Sequence, residues 1–246
     1  MRQLVFSSLL ILCCLAGMAQ IPVYYVKTPL NGGSDNHTGT SWNQAFATIQ
    51  KAIDVAHENY DYAQVWVAEG TYYPTVFYNT DTTDPTLKTL IMKPGITIYG
   101  GFTGLETDLD QRDWVQHETV ISGDMNNDDF FNAINDLSLW ATGNREENCK
   151  SVVLFSTKFG SFDTRSGING FTITGGMVTA IQYFFVQPQG STEILECSPY
   201  ISNNTIVQNG NAIILSVATA TVSCSTVIDS NFIGINCGSE SHVGSI

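Results

Sequence analysis

The stretch CSPYISNNTIVQN, residues 197–209, returns 27 residues later as CSTVIDSNFIGIN at 224–236. Five columns agree between the two copies: Cys197 with Cys224, Ile201 with Ile228, Asn204 with Asn231, Ile206 with Ile233, and Asn209 with Asn236. Repetition at the length of one coil is typical of solenoids, in which short repeats stack and each contacts only its neighbours. The repeat therefore predicts a stacked β structure instead of a globular one.

Isoleucines five residues apart extend this pattern towards the N-terminus. Ile168 and Ile173 have the same spacing as Ile201 and Ile206. Stacked coils would place these side chains in register inside the tube, where burying each contributes about 1.5–3 kcal/mol. We place the Asn204 column at a corner, because Asn tolerates the left-handed region and its amide can bond a stacked neighbour.

Short β-branched runs, most of them closed by Gly or Asn, recur along the rest of the chain. Such runs predict strands. They lie at 22–26, 64–68, 96–99, 118–122, 152–155 and 168–174. Their spacing fits coils of three short strands joined by loops of varying length, and it does not fit a sheet that alternates with helices.

One helix is predicted before most of these strands, from about residue 41 to residue 57. Ser41 and Gln44 form a capping box, and apolar side chains follow at helical spacing. Because the first coil of a solenoid exposes its core, we expect the helix to cover that open end. A helix packed beside a globular sheet is the alternative.

Residues 1–19 have the composition of a signal peptide. Arg2 precedes an apolar run at 4–15, and the small residues Gly17 and Ala19 provide a cleavage site. The run is too short to span a bilayer, and no later segment is long enough. We therefore expect an exported protein, secreted or held at the cell surface, with no membrane span. A lipoprotein signal at Cys13 is the alternative, although a leucine precedes it where a small residue would be needed.

The remaining chain, residues 20–246, is expected to form one elongated domain. With 23 Asp and Glu against 10 Lys and Arg, the full sequence has a net charge of −13. That charge repels phosphate backbones, which argues against nucleic acid as a partner. Residues 238–246 begin a turn without a capping element, so we expect the chain to be truncated at its C-terminus.

Four cysteines follow the signal segment: Cys149, Cys197, Cys224 and Cys237. An exported chain meets an oxidising compartment, where disulfides persist. In the 27-residue register Cys197 stacks on Cys224 at about the 4.8 Å strand spacing, which a disulfide tolerates. A ladder of small buried thiols packs equally well, so both interpretations stay open.

Six blocks, in order, resemble the exported right-handed parallel β-helix proteins of the pectin-lyase-like group. They are TSWNQAFATIQKAI at 40–53, VWVAEGTYYP at 65–74, IYGGFTGLE at 98–106, QRDW at 111–114, ISGD at 121–124 and INGFTITGG at 168–176. The resemblance implies an all-β fold, a right-handed parallel β-helix (β-solenoid) with one N-terminal capping α-helix. Because the group includes polysaccharide lyases, glycoside hydrolases and adhesins, it implies a polysaccharide or cell-surface glycan as partner without selecting an activity.

Asp124, Asn126 and Asp128 alternate within an acidic stretch at 123–129. Alternating oxygen side chains converge on the cation in the first half of a calcium loop. Asp129 stands where an EF-hand turn needs glycine. The pattern therefore predicts an irregular Ca²⁺ site, and Ca²⁺ is the one cofactor to which the sequence points. A solvated acidic turn without a metal is the alternative.

A polysaccharide lyase of this group would need such a cation to neutralise a uronate carboxylate, and a base to remove the C5 proton. The basic residues nearby are Arg145, Lys150, Lys158 and Arg165, and none lies in a recognised motif. No nucleophile elbow, phosphate loop or dinucleotide fingerprint occurs. The sequence therefore favours a non-catalytic exported protein, adhesin-like or glycan-contacting. A Ca²⁺-dependent polysaccharide lyase, or another polysaccharide-degrading enzyme, is the alternative.

Aromatic side chains could supply the contact with sugar. Tyr72, Tyr73, Phe77 and Tyr78 lie close together in the sequence. Their ring faces could stack on sugar rings, since an aromatic side chain presents a flat apolar surface. Packing beneath the predicted helix accounts for these residues as well.

Overall fold

The structure, a computed structural model, describes residues 20–129, 145–184, 198–215, 219–223, 226–228, 235–237 and 242–244. Within these residues the regular structure is mainly strand, with one α-helix, α1 (Ile49–Asn59). In chain order the strands are β1 (Val23–Val26), β2 (Ala63–Ala68), β3 (Gly70–Tyr72), β4 (Val76–Phe77), β5 (Lys88–Ile91), β6 (Ile96–Phe102), β7 (Thr119–Ser122), β8 (Ser151–Ser156), β9 (Gly167–Asn169), β10 (Thr172–Thr174), β11 (Thr179–Phe184), β12 (Tyr200–Ser202), β13 (Thr205–Val207), β14 (Asn211–Leu215), β15 (Thr219–Ser223), β16 (Thr226–Ile228), β17 (Ile235–Cys237) and β18 (His242–Gly244). The predicted β-rich class with a single helix is confirmed.

The strands form three sheets, and their pairing is parallel apart from the antiparallel pair β4–β5. The first sheet has the order β1-β2-β6-β9-β12-β15-β18, the second β3-β7-β10-β13-β16, and the third β4-β5-β8-β11-β14-β17. From β6 onwards, consecutive strands enter the first, second and third sheets in turn, and we call each set of three a round. Each strand therefore pairs with the equivalent strands of the neighbouring rounds.

Buried aliphatic side chains stack between rounds in every sheet. The ladders are Ile98, Ile168 and Ile201 in the first sheet, Ile121, Ile173 and Ile206 in the second, and Val153, Ile181 and Ile213 in the third. None of these nine side chains is more than 1% exposed. The ladders include both isoleucine stacks that the sequence predicts, at an offset of 33 residues.

The following round stacks at a different offset from the one that the repeat predicts. Val222 pairs with Ile201, and Val227 pairs with Ile206, an offset of 21 residues where the repeat predicts 27. The predicted register is wrong because it aligns identical residues in the two copies of the repeat. Pairing requires only β-branched residues at the same five-residue spacing, and valine satisfies that requirement.

Two sequence predictions lie outside the described residues. They are the signal peptide at 1–19 and the pairing of Cys197 with Cys224. The 27-residue register that favoured this pairing is not the one found at β12 and β13. Cys149, which is described, is a buried free thiol.

The helix begins later than predicted. Residues Trp42–Gln44 form a short 3-10 helix, and Ser41 makes no side-chain capping bond. The N-cap of α1 is instead Thr48, whose hydroxyl accepts a hydrogen bond from the Lys51 N–H at 3.3 Å. The predicted start at residue 41 is therefore wrong, and the helix also extends two residues past 57.

The backbone hydrogen bonds of Phe46 explain why the helix starts later than predicted. Its N–H donates to the Tyr25 carbonyl at 2.8 Å, and its carbonyl accepts from the Lys27 N–H at 3.0 Å. Phe46 therefore extends the pairing of β1 and cannot adopt helical geometry. The apolar face of α1 then packs against β1 and β2 through four buried residues, Ile49, Ala52, Ile53 and Ala56.

Gln50 lies on the same side of α1 and is 4% exposed. Its Oε1 accepts from the Ile91 N–H at 2.8 Å, and its Nε2 donates to the Ile91 carbonyl at 3.1 Å. Ile91 belongs to β5, whose opposite side pairs with β8. The side-chain amide of Gln50 thus satisfies the N–H and C=O of Ile91, which point away from β8, whereas β4 pairs with β5 at Lys88 and Thr89.

Two buried asparagines link the corners of successive rounds. Asn204, 1% exposed, accepts from the Phe171 N–H at 3.0 Å and donates to the Ile168 carbonyl at 3.0 Å. Asn209 makes the equivalent pair of bonds to the next corner of the same round. The predicted corner is therefore confirmed, but the left-handed residue is Asn203 (φ 55°) rather than Asn204.

Replacing Ile206 by Asp should reduce the free energy of unfolding by several kcal/mol, because an unpaired carboxylate would enter an apolar ladder. Thr205→Asp is the matched control, since Thr205 precedes it in β13 and is partly exposed. It should cost about 1 kcal/mol or less. Urea unfolding followed by circular dichroism measures both. Equal losses for the two variants would contradict the inward assignment of Ile206.

Candidate functional site

The first candidate site forms where two segments of the chain meet. One segment, 123–129, follows β7, and the other, 145–150, leads into β8. The Gly123 N–H donates to the Thr174 carbonyl at 2.8 Å, and the Gly123 carbonyl accepts from the Cys149 N–H at 2.9 Å. The first bond fixes the 123–129 segment against the neighbouring round, and the second joins the two segments to each other.

Four carboxylates converge at this junction, and we call them the acidic cluster: Asp124, Asp128, Asp129 and Glu147. One oxygen from each lies within 4.8 Å of the others. The Asp124 carboxylate organises the turn, because its two oxygens accept from the N–H groups of Asp128 and Asp129, each at 3.2 Å. The structure brings Asp124 and Asp128 together, as the sequence predicts, whereas the predicted ligand Asn126 is exposed.

Sequence reasoning missed Asp129 and Glu147 as members of the cluster. Asp129 stands at the position where the pattern departs from an EF-hand. The pattern therefore does not suggest Asp129 as a metal ligand. Glu147 follows 18 residues later in the sequence, and no spacing rule connects it to the turn at 124–129. The general acidity of this region was the only available signal.

The negative charges of the acidic cluster are partly balanced by one guanidinium. Arg145 is 7% exposed, and its Nε lies 3.9 Å from Asp129 Oδ2. Burial raises the pKa of Asp129, against a hydrogen bond from Asn148 and the charge of Arg145, which lower it. Burial also raises the pKa of Glu147, and neighbouring carboxylates of the cluster add to that effect. The acidic cluster therefore forms an environment that stabilises a positively charged group.

The other basic residues considered from the sequence are engaged elsewhere. Lys150 forms an ion pair with Asp84 at 3.1 Å, and Arg165 forms one with Asp163 at 2.5 Å. Lys158 lies over a neighbouring phenylalanine ring. Of the four candidates, Arg145 is the one that the structure places beside the acidic cluster.

The second candidate site is a cleft of about 240 Å³ that we call the tyrosine cleft. Its functional side chains are His57, Tyr60, Asp61, Tyr62, Ser161 and Asp163. They come from the end of α1, from the turn before β2 and from the loop between β8 and β9. Tyr60 and Tyr62 are 44% and 40% exposed, so the cleft presents aromatic surface to solvent.

Arg165 organises one wall of the tyrosine cleft. Its Cζ lies 3.6 Å from the ring centroid of Tyr62, and its Nε and Nη2 both donate to Asp163 Oδ2. Burial would raise the pKa of Asp163, but the hydrogen bonds from Arg165 outweigh it and lower the pKa. The wall therefore offers an ionised acceptor beside an aromatic ring.

The four aromatic residues predicted to contact sugar differ in exposure, and Phe77 in β4 is partly buried. Tyr72 is 5% exposed, and its hydroxyl donates to the Ala68 carbonyl at 2.9 Å, so it serves packing. Tyr73 and Tyr78 are exposed. The tyrosine cleft was missed because its residues come from separate segments that only the fold brings together.

Comparison with known protein families, with curated proteins and with solved structures finds no match for this chain. Within the described residues, no helix has the length and apolar character required to cross a membrane.

Replacing Arg145 by Gln should lower the free energy of unfolding by about 3 kcal/mol, because it leaves buried carboxylates uncompensated. The side chains of Arg145 and Asp129 are only 8% and 3% exposed. Lys150→Gln is the control, because that ion pair is 43% and 35% exposed and should contribute about 0–1 kcal/mol. Chemical unfolding in the presence of chelator measures both. A loss for Arg145→Gln no larger than the control's would contradict the assigned role.

Proposed function

We propose that this chain is an exported right-handed parallel β-helix of the pectin-lyase-like group. The order in which strands enter the three parallel sheets supports the proposal, because a chain that winds through three sheets in turn produces this order. The placement of α1 against β1, the outermost strand of the first sheet, fits a capping helix. Export follows from the signal-peptide composition of residues 1–19.

We further propose that the protein contacts a polysaccharide or cell-surface glycan through the tyrosine cleft, in an adhesin-like role without catalysis. The observation that carries this proposal is the pair Tyr60 and Tyr62, held half-exposed beside polar groups. A tyrosine ring offers a flat apolar face for the C–H groups of a sugar. The Asp163 carboxylate and the Ser161 hydroxyl can bond sugar hydroxyls.

The charges around the tyrosine cleft favour a neutral glycan. Asp61 and Asp163 contribute carboxylates, and the charge of Arg165 is already paired with Asp163. A uronate would bring a further carboxylate next to these groups and into the field of a chain with net charge −13. The volume of about 240 Å³ lies below the ~300–1,000 Å³ of sites for drug-sized ligands, so a short segment of glycan fits.

Binding to a panel of neutral and uronate polysaccharides tests this function. Tyr62→Ala should weaken binding to the glycan that the parent retains by about fivefold or more, since loss of one stacked ring costs about 1 kcal/mol or more. Phe184→Ala is the control, because Phe184 is an exposed aromatic residue (53%) that does not line the cleft. Affinity electrophoresis measures retardation. If Tyr62→Ala binds like the parent, the proposal fails.

A second function, a Ca²⁺-dependent polysaccharide lyase, is favoured by one observation. Arg145 lies beside the acidic cluster, and burial lowers its pKa against the opposing effect of Asp129. A lyase needs a cation to neutralise a uronate carboxylate and a nearby base to take the C5 proton. The acidic cluster would hold the cation, and Arg145 would be the base.

Absorbance of the unsaturated product separates the two functions. The parent protein is incubated with each uronate polysaccharide, with and without chelator. The binding function predicts no increase in absorbance under either condition. Product that forms and disappears on addition of chelator would overturn the binding-only proposal and support the lyase.

A further inference from the structure

Within the described residues, the acidic cluster sets four carboxylates against one guanidinium, that of Arg145. Its four carboxylates lie within 4.8 Å of one another, and Asp124 is only 9% exposed. Like charges at such distances repel strongly where water is partly excluded. The guanidinium of Arg145 also donates through Nη2 to the carbonyls of Gly176 and Gln208, so it does not serve the cluster alone.

Two buried oxygen atoms at the acidic cluster give an independent indication of a ligand. Among the described residues, Asp129 Oδ1 and Asn148 Oδ1 are shielded from solvent and accept no hydrogen bond. The Asp129 side chain is 3% exposed, and Asn148 is fully buried. Leaving such an oxygen without a partner destabilises the folded state. A bound cation would satisfy both atoms.

The position of Asn148 shows that its amide belongs to this site. Its Nδ2 donates to Asp129 Oδ2 at 2.9 Å, which holds the side-chain amide against the cluster. The amide nitrogen is thereby used, and the amide oxygen is left to accept. Asn carbonyl oxygens are ordinary calcium ligands. The same hydrogen bond fixes the orientation of the Asp129 carboxylate.

We infer that the acidic cluster and the amide oxygen of Asn148 together bind one Ca²⁺ ion. All of these donors are hard oxygens, and Ca²⁺ takes about 6–8 of them in irregular geometry. Five side chains, with bidentate carboxylates or water, reach that number. The nearby Cys149 thiol contacts Met125 Sδ at 3.7 Å, so no sulfur ligand is implied. The site differs from the sequence prediction, because Asp129, Glu147 and Asn148 join it from outside the alternating pattern.

The bound ion would tie the segment after β7 to the segment before β8. Because β7 and β8 belong to different sheets, the ion would reinforce one corner of the round. The inference does not rest on the proposed glycan function, because the tyrosine cleft shares no residue with this site.

Calorimetric titration of the chelator-treated full chain with CaCl₂ tests the site. The parent should bind one ion per chain, and Ca²⁺ should raise its Tm because a ligand that binds only the folded state stabilises it. Glu147→Gln and Asp129→Asn should each lower the affinity tenfold or more. Glu58→Gln removes the same charge from the exposed surface of α1 and should bind like the parent.

The outcomes are distinguishable. No saturable heat and no change in Tm at millimolar Ca²⁺ would overturn the inference. Parent-like affinity in both cluster variants, or an equal loss in Glu58→Gln, would also overturn it. Circular dichroism identifies a variant that fails to fold. In that case Glu147→Gln, at a side chain that is only partly buried, decides the question alone. Glycan binding that depends on Tyr62 would survive failure of the metal site.

Discussion

The stacking of inward aliphatic side chains between rounds is the interaction on which the rest of the structure depends. Many of the strands have only three residues, so none would persist in isolation. Their backbone bonds run between rounds, and a slip of one residue would turn every isoleucine of a ladder outwards. Asn204 and Asn209 reinforce the same register, because each bonds the backbone of the preceding round at a corner.

The same register places the chemically active groups. Because Gly123 bonds both Thr174 and Cys149, two segments far apart in the sequence meet at one corner, and their carboxylates converge. The loops are free to carry this charge because the ladders hold the corner in place. The acidic cluster therefore lies where the chain leaves one sheet and enters the next, and the strands set the distances between its members.

The sequence predicts the structure where the spacing of side chains repeats, and it fails where the position of a residue depends on its tertiary contacts. The stacks of Ile168 and Ile173 were predictable because their spacing recurs in the next copy. The register beyond Ile206 was not, since it depends on side-chain shape and valine replaces isoleucine there. The helix start was hidden because Phe46 pairs with β1 from outside any strand pattern. At the acidic cluster, the alternating acids could be predicted, but Glu147 joins through the fold alone.

The contact between Gln50 and β5 has a consequence for solubility. A strand with an unsatisfied edge is a template for a strand from another molecule. The carboxamide of Gln50 imitates a peptide group, and it occupies the N–H and C=O of Ile91 that an incoming strand would use. One residue of the helix thus covers the part of β5 that lies beyond its pairing with β4, and at this position it protects the protein from edge-to-edge aggregation.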